Sequence, residues 1–147
     1  MALPDSPHTL PVRIYYEDTD HGGVVYHANY LRYMERARTE LLRSSGIDLD
    51  SVYQQWWVLF AVTKLTIEYR YPARFNDMLQ VISYIGCPCG ARLHYDQRIV
   101  RADDGKLIAE AVVDLACINN SGRAQRIPSP LNSSLCRLSH QGENGLK

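Results

Sequence analysis

The sequence carries no excess of either charge. Sixteen Lys and Arg stand against sixteen Asp and Glu in 147 residues. A chain without a basic field has no general means of holding nucleic acid or an anionic membrane surface, so neither is expected as a partner. Long hydrophobic runs are missing as well. The longest, Trp56–Val62, falls far short of the ~20 residues that span a bilayer, so no membrane span is expected. The first residues, MALPDSPHTLPVR, hold no basic stretch followed by an apolar one. No signal peptide is therefore expected, and the expected location is cytoplasmic. Cysteine is sparse, at Cys87, Cys89, Cys117 and Cys136, with no C-x-x-C spacing. Four cysteines in a chain of this size do not make a disulfide framework, and free thiols are expected. Near-zero net charge also gives little protection against self-association, which leaves homo-oligomers open.

What is present is ordinary globular material, 46% hydrophobic and 22% charged. The length fits one domain. Residues 1–9 contain two prolines and no apolar pattern, and read as a flexible N-terminal arm. Residues 10–16 alternate as a first strand, and 17–25 form a polar loop with two glycines. From about His27 to Ser45 the period changes. Tyr30, Met34, Ala37 and Leu41 recur at helical spacing, and Gly46 is a natural stop. Residues 56–71 read as a long strand ended by Pro72. Strand patterns follow at 78–85, 91–101 and 106–118, joined by short turns, with a weaker sixth at 123–127. Hairpin connections exclude repeated parallel βαβ units, so the class is α+β. One domain over 10–128 and a loose tail over 129–147 complete the expected organisation.

The chemistry concentrates in the loop before the helix. Asp18 and Asp20 precede Gly22 and Gly23, and a helix begins just beyond. A helix start presents unpaired N–H groups and the positive end of the dipole. A carboxylate beside such groups suits attack on a carbonyl, the carboxylate acting as base or nucleophile and the N–H as electrophilic help. The plainer alternative is an Asp helix cap followed by a glycine turn. A calcium loop does not fit, because position twelve is Asn29 and not Glu. No zinc spacing, phosphate loop or dinucleotide fingerprint occurs. No metal or cofactor is expected.

The string Tyr16-x-Asp18-Thr19-Asp20-x-x-Gly23-x-Val25-Tyr26-x-x-Asn29-Tyr30, followed by Glu35-x-Ala37-Arg38, resembles the signature of the 4-hydroxybenzoyl-CoA thioesterase family. More narrowly, it resembles the YbgC-like acyl-CoA thioesterases associated with the bacterial Tol-Pal system. Tyr71-Pro72-Ala73-Arg74 with Asp77-x-Leu79, and Gln97-Arg98-Ile99-Val100, are similar to two further landmarks. The resemblance implies a hotdog fold, a curled antiparallel sheet of five to six strands around one long helix. It also implies dimers or dimers of dimers, with sites drawing residues from two chains.

The resemblance assigns Asp20 as the catalytic carboxylate, either nucleophile or general base. It places the His27 N–H on the thioester carbonyl, and the His27 side chain suits proton transfer. Gly22 and Gly23 would shape the loop, and Tyr16 and Tyr26 would wall the substrate site. Asp18, Asn29 and Glu35 would support it. No basic residue marks the turn after the third strand, so Arg92 is the candidate for the CoA phosphates, with Lys64, Arg70 and Arg74 behind it. The implied reaction hydrolyses acyl-CoA to free acid and CoA. An acyl-carrier-protein thioesterase and a non-catalytic acyl-carrier or Tol-Pal-associated binding module are the alternatives.

Overall fold

The computed structural model describes residues 7–146, with side chains through Ser139. Strand β1 covers His8–Arg13. Helix α1 runs over Asn29–Ser44, and a second helix, α2, over Leu49–Trp56. The strands β2 (Val58–Tyr69), β3 (Met78–Ile85), β4 (Arg92–Arg101) and β5 (Leu107–Asn119) follow. Helix α3, Ser129–Leu146, closes the described chain. All five strands form one antiparallel sheet in the order β1-β3-β4-β5-β2. This is the α+β class read from the sequence.

Strict alternation makes the sheet two-faced. Leu93, Tyr95, Gln97 and Ile99 of β4 are buried, while Arg92, Asp96 and Arg98 between them face out. The inner face packs on α1 through Tyr30, Tyr33, Met34, Ala37 and Leu41, each at most 5% exposed. Helix α1 stops as the glycine predicted. Gly46 has φ +84°, and Ile47 N–H donates to Leu42 O at 2.9 Å. One polar cluster crosses the core. Gln97 Nε2 donates to Met34 O and Ser83 Oγ, both at 2.9 Å, and Arg38 donates to Gln97 Oε1 at 3.0 Å. It pins α1 to β3 and β4.

Several expectations are corrected. The predicted arm overlaps the fold, since His8 and Thr9 already pair in β1; its first six residues lie outside the described range. Residues Tyr16–Asp18 form a 3-10 turn, so β1 ends before the predicted boundary. The sequence pattern assigns no element before the strand at 56–71, and helix α2 forms there, taking in Trp56. Its cap is Asp48, which accepts from Ser51 N–H, and Trp57 ends it in the left-handed region at φ +58°. No sixth strand forms at 123–127; a single bridge joins Ile118 and Ala124. The tail expected to be loose is helical from Ser129, and Leu131 and Leu135 belong to the core, so the folded unit continues past 128. Cys87 and Cys136 form a disulfide, against the expectation of free thiols; Cys89 and Cys117 are free. Docking of α3 on the sheet brings Cys136 to the β3–β4 turn. Among the described residues no helix is long and apolar enough to cross a membrane, and no cluster could hold a metal ion.

Candidate active site

The loop between β1 and α1 is fixed by its own backbone polar groups. Asp18 Oδ2 accepts from Tyr15 N–H at 2.7 Å. The Asp18 carbonyl accepts from Tyr26 N–H and from Asn29 Nδ2, both at 2.9 Å. Asn29 thereby ties the first residue of α1 to the loop. Buried Tyr33 lies beside Asp18. Burial raises its phenol pKa, and the Asp18 carboxylate raises it further. The loop also lies against the segment after β2. Val25 N–H donates to Ala73 O at 2.8 Å, and Ala73 N–H donates to Tyr30 Oη at 3.1 Å. The Tyr-Pro-Ala-Arg landmark is thus the rail on which the loop rests.

Asp20 stands at the tip. Gly22 N–H donates to its Oδ1 at 2.8 Å, and Gly23 N–H to its carbonyl at 3.0 Å. Gly23 has φ +81°, a conformation other residues rarely adopt. A Cβ on Gly22 would stand 3.3 Å from Asp20 Oδ1. The glycine pair therefore sets how the carboxylate is held. Among the described residues nothing donates to the second Asp20 oxygen.

His27 precedes the helix by two residues. The Tyr26 carbonyl accepts from Asn29 N–H at 2.9 Å. Because the peptide is planar and trans, the His27 N–H points the opposite way, and no described residue accepts from it. Tyr69 Oη donates to the His27 carbonyl at 3.1 Å, fixing the next peptide too. The rings of His27 and Tyr69 meet edge-on with centroids 6.2 Å apart. These residues line a groove of about 270 Å³ with Val25, Tyr30, Tyr71 and Pro72. Tyr30 links groove to loop. Its phenol pKa is raised chiefly by burial, with Tyr69, Asp77 and Asp20 adding to the rise.

The other expected residues divide. Tyr26 packs on His27 at 4.6 Å, outside the groove lining, and Tyr16 turns away onto Phe75 at 6.1 Å. Glu35 is exposed six residues beyond Asn29, about 9 Å along the helix, and faces Arg38. Arg92 is remote within one chain. It pairs with Ala116, whereas Tyr69 pairs with Ala109, which separates them by about 23 Å along β5. Lys64 and Arg92 line the same far concavity. Arg70 lines the groove beside Tyr69 and is engaged by Glu110 and Glu68, and the backbone N–H of Arg74 donates to Asp77. The sequence reading missed Tyr30, Tyr69 and Tyr71. The Tyr-x-Tyr-Pro spacing at the end of β2 was the available signal.

An antiparallel sheet on one long buried helix, with a carboxylate loop at that helix's N-terminus, defines a hotdog fold of the thioesterase type. The profile of the thioesterase-like superfamily matches residues 15–135. The chain is 47% identical over 109 residues to the acyl-CoA thioester hydrolase YbgC of Escherichia coli, which covers 74% of this chain and 80% of that protein. It is 39% identical to the acyl-CoA thioesterase YbgC of Haemophilus influenzae, over 78% of this chain and 83% of that one. Among solved structures, a 1,4-dihydroxy-2-naphthoyl-CoA thioesterase from Synechocystis superposes with TM-score 0.82 at 26% identity, over 90% of this chain and 98% of that one. The chain belongs to the thioesterase-like superfamily, in its YbgC-like branch, and is an enzyme.

Proposed function

We propose that the chain hydrolyses acyl-CoA thioesters, with Asp20 as nucleophile or general base and the His27 N–H polarising the carbonyl. One observation carries the reading: His27, whose N–H no described residue accepts, lines a groove together with Tyr30, and Tyr30 feels the charge of the loop-held Asp20 carboxylate. The thioester oxygen accepts from the His27 N–H, which draws charge off the carbonyl carbon. Asp20 then either bonds to that carbon or takes a proton from an attacking water. The C–S bond breaks, CoA leaves as thiolate, and in this reading the His27 imidazole protonates it. In the first route water afterwards cleaves the acyl–Asp20 anhydride. No cofactor enters either route.

The site is completed by a second copy. β2 is a sheet edge, with Leu59 and Val62 of that strand 46% and 49% exposed. Antiparallel pairing of two β2 strands sets the Val58 end of one copy beside the Tyr69 end of the other. Lys64 and Arg92 of the second copy then approach the groove and meet the CoA phosphates. A tie to the Tol-Pal system belongs to the same reading and rests on the resemblance; a cytoplasmic location rests on the first residues, which hold no basic stretch followed by an apolar one.

The test is thiol release from short-chain, long-chain and benzoyl CoA thioesters, with wild type beside Asp20→Asn. Asp20→Asn should lose about 100-fold or more in turnover while keeping its melting temperature. Folded wild type that releases no thiol across the panel would refute acyl-CoA as donor, and acyl-carrier-linked thioesters would be the next panel.

A further inference from the structure

Arg38 is the anomaly of the core. It is only 9% exposed, yet no Asp or Glu among the described residues forms an ion pair with it. One N–H donates to the neutral Gln97 amide, and the guanidinium lies 5.9 Å from the Tyr95 ring centroid. An arginine carries five such donors. Burial lowers its pKa, offset in part by Tyr95 and by the exposed Glu35 at the rim. A buried cation with so few partners is costly unless something else satisfies it.

What Arg38 borders is a cavity of about 160 Å³ with apolar walls: Leu42, Phe60, Val62, Leu93 and Leu115. The cavity shares no lining residue with the groove and lies further along the same helix and strand. Arg38 lies eleven residues beyond His27, about 16 Å along α1, the reach of an extended medium-chain acyl group. The other wall is continuous too. Tyr69 in the groove and Val62 in the cavity occupy one face of β2, with half-buried Ile67 and Leu65 between them. The register shift between Val62 and Lys64 keeps all four on that face.

We infer that the Arg38 cavity receives the far end of the acyl group, and that Arg38 selects chains bearing a hydrogen-bond acceptor there, a hydroxyl or a carboxylate. This deepens the thioesterase reading and rests on it. The apolar walls hold the chain, and the guanidinium gives its polar end a charge-assisted bond. A plain chain of equal length leaves the buried donors unsatisfied.

The test uses thioether analogues of CoA, which are not hydrolysed: dodecyl, ω-hydroxydodecyl and ω-carboxydodecyl. Calorimetry with full-length wild type should show at least one ω-polar analogue binding about tenfold or more tighter than the plain one. In Arg38→Met that preference should vanish. Leu49→Trp, which places an indole at the cavity wall, is the second variant should Arg38→Met fail to fold, and it should abolish the preference by filling the space the chain end would take. Equal affinity of wild type for all three analogues overturns the inference, as does a preference that survives in Arg38→Met or Leu49→Trp. Thiol release from acetyl-CoA, run in parallel, reports on the thioesterase reading alone, because an acetyl group does not reach Arg38.

Discussion

The Cys87–Cys136 bond joins the β3–β4 turn to α3 across 49 residues of sequence. Cross-linking removes loop-closure entropy from the unfolded chain, and for a loop near this length the loss is roughly 14 cal/mol/K. That is about 4 kcal/mol at 25 °C. For a domain of this size each kcal/mol moves the melting temperature by about 2–4 °C, so cleavage should lower it by roughly 8–16 °C. The assay is thermal unfolding of oxidised wild type, wild type with excess dithiothreitol, and Cys136→Ser. Reductant should bring wild type down to the Cys136→Ser midpoint and leave Cys136→Ser unmoved. The free thiols Cys89 and Cys117 are present in all three samples, so they do not produce the difference. Equal midpoints for oxidised wild type and Cys136→Ser would refute the reasoning. So would a reductant effect that persists in Cys136→Ser.

Tyr69→Phe removes the hydrogen bond to the His27 carbonyl and leaves the ring in place. One neutral hydrogen bond is worth about 1 kcal/mol, so kcat for thiol release should fall about fivefold. Gln97→Ala removes the second donor to the Met34 carbonyl and strands Ser83 Oγ and the buried Arg38 guanidinium. It should cost about 3 kcal/mol or more in urea unfolding, far above a surface substitution. His94 is partly buried, which alone lowers its pKa, but its bond to Asp114 at 2.7 Å and the charge of Asp96 raise it above the ordinary value. A raised folded pKa means this contribution to stability is full below the unfolded pKa of ~6.5 and is lost as pH rises through the folded value. Asp114→Asn should lower the His94 titration midpoint by NMR, and its melting deficit against wild type should shrink with rising pH.

The elements legible in the sequence were those whose burial follows one period. β3 lies where its alternation put it, β4 starts one residue later than read, and β5 is shifted by one residue at each end. The long helix was legible for the same reason, since its buried residues recur at three and four. α2 was not, because Trp56 and Trp57 merge into the apolar run of β2 and the chain turns between them through a left-handed tryptophan. α3 was hidden by composition. Its polar residues suggest a loose tail, while Leu131, Leu135 and Leu138 recur at i, i+4 and i+7 and are what meets the core. The disulfide followed α3 into obscurity, since its geometry exists only once that helix docks.

The site divides along a similar line. Asp18, Asp20, Gly22, Gly23, His27 and Asn29 sit in one short loop, and local backbone rules suffice to bring them near one another. The groove wall does not follow from local rules. Tyr69 is 42 residues from His27, and only the β2–β5 pairing and the loop's rest on Ala73 set it there. The same topology puts Arg92 at the opposite end of the sheet, so its expected place beside CoA requires a second chain. β2 invites that chain. An edge strand with exposed Leu59 and Val62 is an aggregation hazard unless it is paired. Pairing it in the antiparallel sense removes the hazard and supplies cations to the groove at once. In the proposed dimer, edge protection and completion of the candidate site are one demand on the fold, and a substitution that blocks β2 pairing should lower activity and shift the oligomeric state together.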